Sequence, residues 1–304
     1  MQNQTMNEWE AICINDGSTD SSLAILDKLA LLDNRIRVYS KTNSGVSDSR
    51  NMGLSLVESK YVMMLDADDT LHKQALEIMF NNMQANEKCD MVVCSYNRIT
   101  ASRQSLYYSQ CPKEGITELS TRGVLNVSGA PWAKLYKKEI INSIELRFNS
   151  SLSVSEDDLF VKCYLTRCRC VCFLKEALYN YEFSETSVIH RFETGTARYE
   201  QYAGVLKIPV LLAEFLKQYP AINSGKCEWE RVLLETLFRS VLWLEWSIPR
   251  TRITEKNTLR KLGFSIFNSL RKNLPYLLLF RVTIQYANFY IKGKLKRFIH
   301  RKKY

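Results

Sequence analysis

Three groups of acidic residues carry most of the chemistry available to this chain. The first is Asn15-Asp16-Gly17-Ser18-Thr19-Asp20, between a short apolar run and a helical pattern. In an open α/β sheet, ligands sit at the carboxyl ends of the strands, where Asp16 falls. Gly17 would let a ligand approach the backbone. The same residue types also make ordinary turns, so this motif alone supports either reading. The second group is Asp66-Ala67-Asp68-Asp69, after the apolar run Tyr61–Leu65. Three carboxylates this close repel one another unless a cation shares them. Hard oxygen donors suit Mg²⁺ or Mn²⁺, with phosphate oxygens completing the shell. A capped turn is the plainer alternative. A calcium loop counted from Asp66 puts Glu77 at its twelfth position, but Leu71 stands where the sharp turn needs glycine. The third group is Ser155-Glu156-Asp157-Asp158, opening a helix. Acids favour helix N-termini for electrostatic reasons alone. A carboxylate there is equally suited to act as a general base.

The elements that must position these groups follow from the hydrophobic periods. Strands are expected at Glu10–Ile14, Arg35–Tyr39, Tyr61–Leu65 and Asp90–Ser95, with helices at Asp20–Leu32, Ser47–Glu58 and Leu71–Gln84. That alternation predicts a parallel sheet covered by helices. Residues 97–130 read as a polar excursion over the sheet edge. A helix is expected at Asp157–Cys168, then strands at Arg169–Leu174 and Leu178–Tyr181. From Glu193 the pattern is helical to about residue 248, where Pro249 interrupts it, and basic amphipathic segments follow at 256–272 and 277–300.

Composition narrows the function classes. The chain has 304 residues, 46% of them apolar, which excludes a disordered tail or a small disulfide scaffold. Of its 42 basic and 32 acidic residues, 13 basic and no acidic ones fall in 256–304. The remainder is therefore near neutral and the tail is strongly cationic. Lys292, Lys294, Lys296, Arg297, Arg301, Lys302 and Lys303 alternate with Leu295, Phe298 and Ile299. This pattern points to an anionic membrane surface. No nucleic-acid-binding module accompanies it, so a nucleic-acid partner is not expected. The nine cysteines lack zinc-site spacing, and free thiols in a reducing cytosol are the expectation. No apolar run is long enough to span a bilayer.

Taken in order, INDGSTDSS, NSGVSDSRNMG, YVMMLDADD and SEDDLF resemble the family-two glycosyltransferases of GT-A fold, in particular bacterial surface-polysaccharide enzymes. GAPWAKLYKKEII and ALYNYEFSETSVIH resemble their acceptor-binding half, and the resemblance covers about residues 4–190. It implies an α/β, Rossmann-like, mostly parallel sheet flanked by helices, with a helical C-terminal extension. It divides the chain into a nucleotide-sugar-binding part (1–105), an acceptor-binding part (106–192) and a helical region with the basic tail (193–304). It implies nucleotide binding by Asp16, Gly17, Arg50 and Asp66, and Mn²⁺ or Mg²⁺ binding by Asp68, with His190 near the diphosphate. Asp157 would be the catalytic base. Glu156, Asp69 and Trp132 complete the candidate set.

The implied activity is inverting transfer of a sugar from a nucleotide-diphosphate donor, a UDP-sugar first, to a glycan or lipid-linked acceptor. It would take place in the cytoplasm, on the inner face of the cell membrane. The resemblance also implies about 30 further residues before Asn3, with a strand of the type SVIIPVYN beside Glu10–Ile14. Without that strand, its two neighbours lose ladder partners. This motivates a rival reading as a non-catalytic remnant that binds a membrane or a partner. A two-carboxylate glycosidase is a third reading, but three acids after a strand suit a metal better.

Overall fold

The computed structural model describes residues 1–110, 113–182, 184, 191, 194, 196–223, 228–248 and 253–271. It forms two compact units, Met1–Ser184 with Tyr219–Asn223, and Glu185–Gln218 with Ser224–Tyr304.

The first unit is α/β, as the alternating periods predict. Its chain runs β1 (Ala11–Asp16), α1 (Ser22–Leu32), β2 (Ile36–Lys41), α2 (Val46–Leu56), β3 (Tyr61–Met63), β4 (Thr70–Leu71), α3 (Ala75–Gln84) and β5 (Cys89–Ile99). There follow β6 (Ser105–Tyr108), β7 (Gly115–Glu118), α4 (Thr121–Asn126), β8 (Lys134–Lys137), α5 (Lys138–Ser143), α6 (Glu156–Leu165) and β9 (Cys170–Glu182). The large sheet has the order β3-β8-β5-β9-β4, with β6 on β5 and β7 on β9. β5 and β9 pair in parallel, and β8 is antiparallel to both β3 and β5. Hence β3, β5 and β9 run in one direction with β8 reversed among them. The amino end of β8 therefore lies at the same sheet edge as the carboxyl ends of β3, β5 and β9.

The core explains the fit of helix to sheet. Ala75, Met79 and Met83, spaced four apart on α3, form one fully buried stripe. They pack with Val92 and Cys94 of β5, Leu135 of β8, and Cys172, Leu174 and Tyr179 of β9. Val92 and Cys94 on β5, and Cys172 and Leu174 on β9, alternate along their strands, as a sheet face requires.

Three expectations are corrected. The helix after Asp69 does not begin at Leu71, because Thr70 and Leu71 pair with Asn180 and Tyr179. The excursion after residue 97 is partly sheet, since β5 continues to Ile99 and β6 folds back on it. The two strands at 169–181 are one strand, with a bulge where Cys94 and Ser95 face Leu174 and Ala177.

β1 and β2 form a separate parallel pair, in register from Ala11 with Ile36 to Asp16 with Lys41. Among the described residues, β1 pairs only with β2, and β3 has β8 as its one strand partner. α1 buries none of its residues, and Leu31 and Leu32 are more than four-fifths exposed.

Among the described residues the second unit contributes three helices, α7 (Tyr199–Gln218), α8 (Trp229–Ser247) and α9 (Ile253–Arg271). α9 turns Leu259, Gly263 and Ile266 inward, and a side chain at Gly263 would meet Val241 of α8 at 3.0 Å. Arg260, Lys261 and Phe264 face outward. No described helix is long and apolar enough to cross a membrane.

Candidate active site

The first acidic motif lies at the end of β1, the second follows β3, and the third opens α6. Asp16 ends β1. Its carboxylate accepts the Lys41 ammonium, the Ser44 N–H at 2.9 Å and the Gly45 N–H at 2.8 Å. Lys41, with the backbone donors adding to it, holds this carboxyl below its usual range. Gly17 has φ of +68°, and a side chain there would meet the Asn43 backbone nitrogen at 2.8 Å. The Asp16–Gly17 turn is thus locked onto the turn that starts α2. Lys41 is a partner that motif reading missed. The register of β1 on β2 is the signal that finds it, since Asp16 lies opposite Lys41.

Arg50 lies on α2, four residues or about 6 Å beyond its first residue. Its guanidinium donates to Asp66 Oδ1 at 2.9 Å and to Glu156 Oε1 at 3.3 Å, and it lies over the Phe148 ring at 5.2 Å. One side chain therefore joins the second motif to the third. Its side chain is only 15% exposed and that of Glu156 only 11%, so this is a buried ion pair.

At the head of α6, Ser155 adopts a left-handed φ of +64°, a conformation serine rarely takes. The next three residues are the acids. Asp157 is partly buried, and its pKa is pushed up to about 7, first by desolvation and then by the charges of Glu156 and Asp158. A carboxylate poised near neutrality is suited to take a proton at physiological pH.

The Asp66–Asp69 loop splits its acids between tasks. Asp69 is buried, with Oδ2 accepting from the Tyr179 hydroxyl and Oδ1 from the Glu182 N–H at 2.8 Å. The Tyr179 hydroxyl also receives the Asp66 N–H at 3.3 Å. Asp69 is spent on the fold, tying the loop to β9, and desolvation raises its pKa to about 6. Asp68 is exposed. Asp66 and Asp68 therefore remain as oxygen donors. Among the described residues no group of three His, Cys, Asp or Glu side chains could enclose a metal. Two carboxylates do fit Mg²⁺ or Mn²⁺ when substrate phosphates supply further ligands.

Trp132 is 8% exposed and stacks on Tyr179 at 4.8 Å and on Tyr181 at 5.4 Å between ring centroids. It braces the Asp69 lock. His190 lies outside the described residues. No described contact joins Asp16 to Asp66 or Asp157 directly; α2 connects them, with one end at Asp16 and Arg50 further along.

The Tyr179 lock gives a prediction. Tyr179→Phe leaves a buried carboxylate oxygen without its donor, expected to cost about 2 kcal/mol. Asp69 is ionised above about pH 6. The lost donor matters most to the charged form, so the loss should be larger at pH 8 than at pH 5. Urea unfolding at both pH values checks it, and equal losses would contradict it.

Comparison with known proteins agrees with this geometry. Residues 1–144 match the model of glycosyl transferase family 2. EpsH of Bacillus subtilis, named as a glycosyltransferase, is 30% identical over 261 residues, covering 79% of this chain and 75% of EpsH. A cholesterol galactosyltransferase of Borreliella burgdorferi is 32% identical over 208 residues, covering 62% of this chain and 58% of that protein. Among solved structures, S. aureus TarS 1-349 in complex with UDP-GlcNAc superposes with a TM-score of 0.62 at 23% identity, over 82% of this chain and 68% of that one. That likeness shows the GT-A fold. With this family model and a relative of this extent, the chain belongs to glycosyl transferase family 2 and is a glycosyltransferase.

Proposed function

We propose that the enzyme transfers a sugar from a UDP-sugar to a glycan or lipid-linked acceptor in surface polysaccharide synthesis, with inversion and with Mn²⁺ or Mg²⁺. The observation that carries this reading is Arg50, which draws Asp66 and the Glu156-Asp157 pair into one site. The nucleotide binds against the Asp16–Gly17 turn and Arg50. Asp68, with Asp66, would hold the divalent ion, which supplies positive charge for the diphosphate.

The acceptor oxygen attacks the anomeric carbon from the face opposite the diphosphate. The carbon–oxygen bond to the diphosphate breaks, UDP leaves with that electron pair, and the hydroxyl proton passes to Asp157. An acceptor hydroxyl is far too weak an acid to ionise at neutral pH, so the base must act as attack proceeds. The fold contributes alignment, because the Asp66 loop and the Asp157 helix are tied through one guanidinium.

The second unit supplies the membrane contact, together with the rest of residues 256–304. Arg260 and Lys261 flank Phe264, which is 67% exposed. An apolar ring between cations suits an anionic bilayer surface. The residues beyond Arg271 lie outside those described. With the basic tail, that pattern supports a location in the cytoplasm, at the inner face of the membrane.

Thermal shift of the full chain with UDP, GDP, dTDP and CMP, each with and without Mn²⁺, tests the reading. Stabilisation by UDP that requires Mn²⁺ is expected, and Asp68→Ala should remove the metal-dependent part. Donor binding unaffected by Asp68→Ala would count against it. Binding to anionic vesicles without any nucleotide effect would favour the rival reading, a protein that only binds a membrane or a partner.

A further inference from the structure

We propose that Lys134 is a positioning residue of the transfer site, tying the Gly129–Ala133 loop against the head of α6 and setting a positive charge behind Asp157. The proposal rests on Asp157 acting as the base.

Lys134 opens β8 and is fully buried. A lysine is kept inside a protein only where its protons are accepted and its charge is met. No described ion pair includes it. Its Nζ instead donates to the carbonyl oxygens of Ala130 at 2.7 Å and Trp132 at 3.4 Å. The carbonyl between them, that of Pro131, accepts from the Tyr136 hydroxyl at 2.8 Å. Two β8 side chains thus satisfy three consecutive loop carbonyls that burial would otherwise leave without partners.

That loop needs holding. Ala133 sits at a left-handed φ of +55°, which alanine adopts only when its surroundings impose it. Gly129 lies against α6 so closely that a side chain there would come within 2.3 Å of Asp158 Oδ1. Trp132 braces Tyr179, and through it the Asp66–Asp69 loop. The loop therefore touches the α6 motif directly and reaches the Asp66–Asp69 motif through Tyr179.

The charges complete the argument. The titratable groups facing Lys134 are the Cys94 thiol of β5 and the carboxylates of Asp157 and Asp158 on α6. Asp157 in turn feels Glu156, Asp158 and Arg50, and Asp158 is paired with Lys162. Burial depresses the Lys134 ammonium to about 7, while the nearby acids favour its charged form. The interaction is mutual, so a charged Lys134 favours ionised Asp157.

The test compares Lys134→Met, Lys134→Arg and Tyr136→Phe in the full chain. UDP release from UDP-N-acetylglucosamine with Mn²⁺ is followed from pH 5.5 to 9, alongside UDP affinity by calorimetry. Lys134→Met should keep UDP affinity within threefold, slow UDP release 10- to 100-fold, and move the acidic limb of the rate profile to higher pH by at least half a unit. Lys134→Arg should restore the limb. Tyr136→Phe keeps the charge, so it should slow release without moving the limb; it also stands in if Lys134→Met does not fold. An unchanged rate and limb in Lys134→Met would overturn the proposal, as would equal losses of affinity and rate. If the wild type neither binds nor turns over the UDP-sugar, the donor reading fails by itself. Lys134 is then judged by hydrogen exchange. At least tenfold faster exchange in the 129–133 loop and at Asp158 together, in Lys134→Met, supports the coupling, and unchanged exchange overturns it.

Discussion

Asp157→Asn is expected to slow sugar transfer about 1000-fold, within the range that general-base catalysis contributes, while UDP-sugar affinity stays within a few-fold. Asparagine keeps the shape and loses the ability to take a proton. Nothing in the Asp16–Gly17 turn or the Asp66 loop depends on Asp157 for a described hydrogen bond. In the wild type the rate should rise with pH through about 7, because the base must be ionised and its pKa is pushed up to that value. That limb should vanish from the residual activity of the variant. Loss of donor affinity in step with the rate would instead make Asp157 a structural residue.

The same group makes a stability prediction with the opposite sign. The folded pKa of Asp157 lies above its unfolded value, so the native state binds the proton more tightly than the unfolded chain does. Ionising it therefore removes stability as pH rises from about 4 to about 7, and the loss is complete above that window. Asp157→Asn removes this penalty. The variant should be more stable than the wild type at pH 8, by about 2 kcal/mol after allowing for the partial exposure of the group. The two should converge toward pH 4. A variant that is inactive yet more stable is what a strained catalytic carboxylate predicts.

Local chemistry was legible in the sequence, whereas long-range pairing was not. The acids of α6 follow from the preference of carboxylates for a helix start. The turn at Gly17 follows from its neighbours in sequence. β1, β3 and the start of β5 follow from short apolar runs. Bulges and short antiparallel pairs leave no such mark. Nothing local shows that Leu71 will pair with Tyr179 and delay α3, or that Lys175 and Glu176 bulge out of one continuous β9. The site divides the same way. Spacing and resemblance identify five acids in the Asp66 and Ser155 motifs as candidates, but they do not show that Asp69 is turned inward to Tyr179, 110 residues away. Lys134 lies within the GAPWAKLYKKEII segment, but nothing in that segment marks its role, which depends on carbonyls that only the folded loop presents.

Arg50→Ala should give the largest loss of stability among single changes in the site. The guanidinium is the one described partner of the Glu156 carboxylate, and both side chains are nearly buried. Removing it leaves a desolvated carboxylate without its countercharge, a change that typically costs about 3 kcal/mol. For a unit of this size that corresponds to a fall of roughly 8 °C in Tm. Arg50→Lys should recover only part of the loss, because one ammonium on a flexible stem does not span Asp66 and Glu156 as the planar fork does. The decisive variant is Arg50→Ala combined with Glu156→Gln. If the loss arises from an uncompensated buried charge, the double variant is more stable than Arg50→Ala alone, though it lacks both partners. If the loss arises from the packing of the Arg50 stem on Phe148, the second change adds to the first. Sugar transfer separates from stability in the same series. The double variant should fold well and remain slow, because the direct bridge from the Asp66 loop to the head of α6 is then gone. A double variant with wild-type turnover would show that the bridge serves the fold and not the reaction.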